Sequence, residues 1–220
     1  MRLMLSMVFA GLCLTAQAAL ADNKITVNVL SNQGLTLADV VVSIKADPNN
    51  PVQPKASQAQ SAIMKQIDQQ FVPHILVVQQ GATVSFPNTD TVKHHVYSFS
   101  PAKTFEISLQ EQLDEHPIQF GESGIVELGC NIHDWMLGYI YVSEGDLSGK
   151  TNKAGAFQVS LPDGNYTVDI WHPRFDKPEI TKQHTFTVSA SAQTFTLQLS
   201  TDLLESFSEF DEIEGLDVYE

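Results

Sequence analysis

Residues 24–30 alternate polar and apolar side chains, the period-2 signature of a strand with one buried face. Asn32-Gln33-Gly34 then marks a turn, and 40–45 reads as a second strand. From 47 to 61 the chain is mainly Pro, Asn, Gln, Ser and Ala, the composition of a linker or long loop. Apolar or alternating runs resume near Ile63 and recur at 74–79, 83–86, 96–99, 104–109, 117–120, 125–128 and 139–142. Turn signals such as Gln80-Gly81 and Pro87-Asn88-Thr89-Asp90 separate them. Strands this short and evenly spaced predict an all-β sandwich or small barrel. A polar stretch over 143–153 reads as a boundary. Beyond it lie runs at 154–159 and 161–168 around Asp163-Gly164, a β-hairpin signal, and further strands at 183–188 and 194–199. This terminal unit is small for a sandwich of its own. It is expected to share a core with the strands of 22–46, with 47–62 as a linker, the middle domain 63–143 as an insertion, 144–200 as the returning half and 201–220 as a tail.

Composition changes this picture at both ends. Arg2, the apolar run 3–14 and the A-x-A sites Ala16-Gln17-Ala18 and Ala19-Leu20-Ala21 read as a signal peptide, residues 1–21, cleaved near Ala21. The expected location is the periplasm. The apolar run is too short to span a bilayer, and no transmembrane segment is expected elsewhere. Loss of the leader removes Cys13 and leaves Cys130 as the single cysteine, so no intramolecular disulfide is possible. A lone thiol in an oxidising compartment needs burial or a ligand role. The net charge of −14 argues against nucleic acid, whose phosphates require Lys and Arg. Residues 202–220 hold eight acidic and no basic side chains, with Leu203, Leu204, Phe207, Phe210, Ile213 and Leu216 at roughly helical spacing. That segment reads either as a docking tail for a basic partner or as a solvated end.

The chemistry concentrates in Cys130-Asn131-Ile132-His133-Asp134-Trp135-Met136. A thiolate, an imidazole and a thioether at C-x2-H-x2-M spacing, with His94-His95 upstream, suit one copper ion cycling between Cu(I) and Cu(II). A type 1 centre uses a trigonal His-His-Cys set with a weak axial Met. Cys130 would be the thiolate, His133 one imidazole and Met136 the axial ligand. The second imidazole is His94 or His95; strand neighbours point to opposite faces, so only one of them reaches the metal. Taken singly, Met136 reads as core, His133 as a surface residue and the His pair as an exposed edge; the combination gives the signal.

These residues resemble the cupredoxins: plastocyanin, pseudoazurin and, in the two-residue gap between His133 and Met136, amicyanin. Phe86-Pro87-Asn88 with Lys93-His94-His95-Val96 is similar to their strand–loop–His segment, and the Gly124-led run into Cys130 to their strand before the Cys. The whole set is similar to bacterial methylamine-utilisation or plastocyanin-like proteins. The resemblance covers roughly 63–143 and implies a cupredoxin-like Greek-key β-sandwich with His94 as the first ligand and His95 as the alternative. His95 stands where cupredoxins usually carry an Asn that steadies the ligand loop. Residues 25–44 and 151–168 resemble carboxypeptidase-regulatory or prealbumin-like sandwiches, implying a second small β-sandwich.

His172-Pro173-Arg174 reads as a strand end at a Pro turn or as a site fragment, and Trp135 as a shield for the metal or a docking surface. His74, His116 and His184 read as ordinary surface or interface residues. No Ser/His/Asp set, phosphate loop or His-Glu-x-x-His pattern occurs, and one cysteine excludes a binuclear copper-A site. The expected function is therefore not enzymatic. It is single-electron transfer between unidentified redox partner proteins, with copper trafficking on the same fold or a β-sandwich binding module with incidental copper as alternatives.

Overall fold

The computed structural model describes residues 23–55, 58, 60–110, 116–176, 183–189, 191–201 and 203–205. The leader and most of the acidic tail lie outside the described residues. The strands, in chain order, are β1 (Asn23–Leu30), β2 (Val41–Ala46), β3 (Ser61–Ile63), β4 (Lys65–Ile67), β5 (Gln70–Val72), β6 (Ile75–Gln79), β7 (Thr83–Ser85), β8 (His94–Ser100) and β9 (Lys103–Leu109). They continue as β10 (Ile118–Gln119), β11 (Gly124–Cys130), β12 (Leu137–Ser143), β13 (Leu147–Lys150), β14 (Ala156–Leu161), β15 (Gly164–Trp171), β16 (His184–Val188) and β17 (Ala192–Gln198). Among the described residues no helix is long and apolar enough to cross a membrane.

One sandwich faces the five-stranded sheet β6-β12-β11-β8-β9 with the three-stranded sheet β10-β7-β3. Its core holds Met64, Phe86, Val96, Phe120, Leu128 and Ile140, all fully buried. Side chains alternate across each strand. In β8 the inward set is His94, Val96 and Ser98; in β11 it is Val126, Leu128 and Cys130. The two strands are antiparallel neighbours, with Cys130 opposite Val96.

In the second sandwich, β14-β1-β17 packs against β13-β2-β15-β16 around Ile25, Val27, Ile44, Leu161 and Val168. The first two strands of the chain therefore share a core with the last ones. Tyr166, stacked on Phe186, donates its hydroxyl hydrogen bond to the Pro162 carbonyl at 2.9 Å.

One local expectation is corrected, and two features were not anticipated. Asp163-Gly164 does not close a hairpin: β14 pairs with β1, whereas β15 pairs with β2 and β16. The dipeptide instead carries the chain from one sheet to the other. Asp163 accepts a hydrogen bond from Asn23 Nδ2 at 2.8 Å, and a Cβ on Gly164 would meet the Asn50 side chain at 2.5 Å. The pattern that signals a hairpin cannot exclude a longer-range partner that offers a better ladder. The polar stretch 143–153 contains β13, antiparallel to β2. The hairpin β4–β5 was not anticipated; Asp68 and Gln69 form its turn with left-handed φ of 51° and 60°, in the absence of the glycine that usually advertises such a turn.

The outer face of β6 and β12 is covered by the second sandwich. Trp171, 2% exposed, lies against Tyr139 and Tyr141 at centroid distances of 5.5 and 5.9 Å, beside Val41 and Ile75. Ser43 and Ser143 hydroxyls bond at 2.9 Å inside the contact, and Gln79 Nε2 donates to Ser148 Oγ at 2.9 Å. Burial, with the Glu127 carboxylate adding to it, pushes the Tyr139 hydroxyl up to about 12. A proton held more tightly by the folded chain stabilises it fully below the ordinary tyrosine value of 10.0 and progressively less as pH rises towards about 12. Urea midpoints measured from pH 9 to pH 12 are expected to fall across that window, and Tyr139→Phe to flatten part of the fall.

Candidate metal centre

β11 ends by delivering Cys130 into the core, 4% exposed. The loop that follows folds back through a bond from the Met136 N–H to the His133 carbonyl (3.0 Å) and enters β12. Cys130 Sγ lies 3.7 Å from His94 Nδ1 and 3.9 Å from His133 Nδ1, and the three donor atoms lie within 4.8 Å of one another. The imidazole rings are 5.0 Å apart. A first-row ion about 2.0 Å from nitrogen and about 2.3 Å from sulfur holds the two donors about 3.5–3.7 Å apart at tetrahedral to trigonal angles. The observed spacing therefore fits one ion between them with little adjustment. Met136, 2% exposed, belongs to the same buried cluster as Cys130.

Alternation separates the two adjacent histidines. His94 is 1% exposed and faces Cys130. Its Nε2–H donates to Asp90 Oδ2 at 2.8 Å, leaving Nδ1 towards the sulfur. Asp90 also accepts the Asp68 N–H at 2.6 Å and the Gln69 N–H at 3.0 Å. Burial pulls the Asp90 carboxyl upward, but the bonds from Gln69, His94 and Asp68 together outweigh it and hold the group below its ordinary range. Asn88, fully buried, secures the segment: it accepts the Asp90 N–H and donates to the Val92 and Gln110 carbonyls.

His95 points away from the donor cluster. Its Nε2–H donates to Glu106 Oε1 at 2.7 Å and its Nδ1 accepts from Asn131 Nδ2 at 2.7 Å. The Asn131 N–H donates to the His95 carbonyl at 3.0 Å. His95 thus ties down the first residue after Cys130, a tether between β8 and the ligand loop.

His133 is half-buried, with its ring 5.4 Å from that of Trp135. Desolvation first, and the neighbouring His94 second, lower its proton affinity and favour the neutral imidazole a metal requires. Trp135 covers one side of His133 and remains 51% exposed. Asp134, Trp135 and Met136 also line a cleft of about 1020 Å³ together with His172, Pro173 and Arg174. Those three residues are thus outside the donor cluster; Arg174 Nε–H donates to the Leu204 carbonyl at 2.7 Å and the His172 ring packs on Phe175. His74 packs edge-on against Tyr139.

Asp90 is the site residue that sequence reasoning missed. Its signal, an acid four positions before His94, lay inside the Pro-Asn-Thr-Asp stretch and looked like ordinary turn composition. Isothermal titration with Cu(II) is expected to show one equivalent bound by the native chain and none by His94→Ala. His95→Ala is expected to keep the equivalent with affinity about tenfold weaker, the lower end of what outer hydrogen-bond partners of a metal contribute.

No family model matches the sequence, and no curated protein does. Solved structures do resemble it. The copper-containing nitrite reductase of Thermus scotoductus SA-01 is 24% identical over 43% of this chain, with a TM-score of 0.37; the match spans only 25% of that enzyme. A purple cupredoxin from Nitrosopumilus maritimus is 26% identical over 39% of this chain and 100% of its own, with a TM-score of 0.33. A reduced amicyanin variant is 16% identical over 46% of this chain and 98% of its own, with a TM-score of 0.34. With its paired sheets and its His-bearing and Cys-bearing strands side by side, the chain has an all-β sandwich fold.

Proposed function

We propose that this chain is a type 1 copper protein that carries single electrons between redox partner proteins. The observation that carries the reading is the convergence of His94, Cys130 and His133 donor atoms at one buried point. His94, Cys130 and His133 would hold the ion through two imidazoles and a thiolate, and Met136 would add a weak thioether donor. Copper bound there supplies a one-electron couple. The protein's part is to keep the donors in one arrangement in both oxidation states. Strand ladders on both sides of β8 and β11, the Asp90 bond to His94 and the His95 bond to Asn131 all oppose rearrangement. His94 and Cys130 exclude water, while half-buried His133 and exposed Trp135 leave one side of the site near the surface.

The leader composition supports export to the periplasm, where this electron carrier would act. The acidic end supports a basic docking partner. Adding one equivalent of Cu(II) to the apoprotein is expected to produce an intense thiolate-to-copper band in the visible spectrum and a reversible one-electron wave. Cys130→Ser is expected to remove both. A colourless one-to-one complex of the native chain would overturn the reading, and an irreversible wave would favour copper trafficking.

A further inference from the structure

We infer that Asp90 is a positioning residue for His94, and that the turn of the β4–β5 hairpin exists in its present shape to hold Asp90. The inference rests on the copper reading for its functional meaning, but the geometry stands without it. His94 is 1% exposed, so neither ring nitrogen can turn to solvent. Nε2 is committed to Asp90 and Nδ1 faces Cys130. One carboxylate contact therefore decides both the tautomer and the direction of the donor nitrogen.

Asp90 is itself held from three directions. Oδ1 accepts the Asp68 N–H; Oδ2 accepts both the Gln69 N–H and His94 Nε2–H. Its own N–H donates to Asn88 Oδ1. Asp68 and Gln69 both adopt left-handed backbone, which is unfavourable for residues with a Cβ. That conformation aims two successive N–H groups at a single side chain more than twenty positions away.

The identity of the residue follows from donor arithmetic. Three N–H donors converge on the two side-chain oxygens. A carboxylate accepts all three, whereas an amide has one oxygen and its NH₂ would confront an N–H. Asparagine therefore leaves at least one donor without a partner. The carboxylate also places negative charge beside the imidazole, which would favour bound Cu(II) over Cu(I).

The test uses the full chain and its Asp90→Asn variant, each as apoprotein and loaded with copper. In the native apoprotein, ¹⁵N NMR is expected to show His94 protonated at Nε2, with that proton protected from exchange. Asp90→Asn is expected to lose that protection, weaken copper affinity by about 10–100-fold, and raise the reduction potential. Asp90→Glu is expected to recover part of the affinity. Unchanged Nε2–H protection, affinity and potential in Asp90→Asn would overturn the inference. If the variant fails to fold, the native apoprotein decides: a His94 protonated at Nδ1, or an unprotected Nε2–H, overturns it. Failure of the copper reading would appear separately, as a native chain without a thiolate-to-copper band, while the apoprotein NMR result still stands or falls alone.

Discussion

The donor cluster depends on the pairing of β8 with β11. Cys130 sits opposite Val96, two positions along the strand from His94, and side chains two apart share a face. His94 and Cys130 therefore enter the same side of the sheet. A one-residue slip in this register would either turn His95 inward beside Cys130 or, with His94 kept inward, send Cys130 to the outer face. The register is secured by the core itself, because Val96, Val126 and Leu128 are fully buried on the same side. Apolar packing thus sets the geometry of the donor atoms.

Around that pairing, the two adjacent histidines divide the work. His94 takes the donor position and is oriented by Asp90; His95 faces out and, through Asn131, restrains the backbone that follows Cys130. Each imidazole is paired with a carboxylate, one nearly buried and one exposed. Exposed pairs contribute little stability on their own. The His95–Glu106 pair matters for where it points the ring rather than for its energy.

The second sandwich gives the sheet a covered outer face. With Trp171 against Tyr139 and Tyr141, and a buried hydroxyl pair beside them, β6 and β12 are packed on both sides. A sheet covered on both faces deforms less than one with a wetted face. The strand that leaves the donor loop, β12, is therefore held along most of its length. The cleft beside it runs from Met136 to Arg174 and keeps the loop's remaining edge open.

Much of the fold was legible in local pattern, since alternation over 24–30, 83–86, 104–109 and 125–128 reports a strand wherever one face is buried. Spacing likewise pointed to Cys130, His133 and Met136, because residues in one short loop stay close however the rest folds. Strand pattern could not choose between His94 and His95, and only the resemblance favoured His94: neighbours in a strand differ only in which face meets the core, and that is a property of the sheet. It misread Asp163-Gly164, whose composition suits a hairpin while the ladders of β1 and β2 claim the two flanking strands. It missed β13 and the β4–β5 turn, where polar residues adopt strand or left-handed conformations because distant partners stabilise them. Asp90 belongs with these. By itself the chain determined its all-β character and the donor types gathered in one loop, because both depend on interactions a few residues apart. Only the tertiary structure decided which histidine joins them and which carboxylate aims it, because those contacts join residues from separate strands and turns.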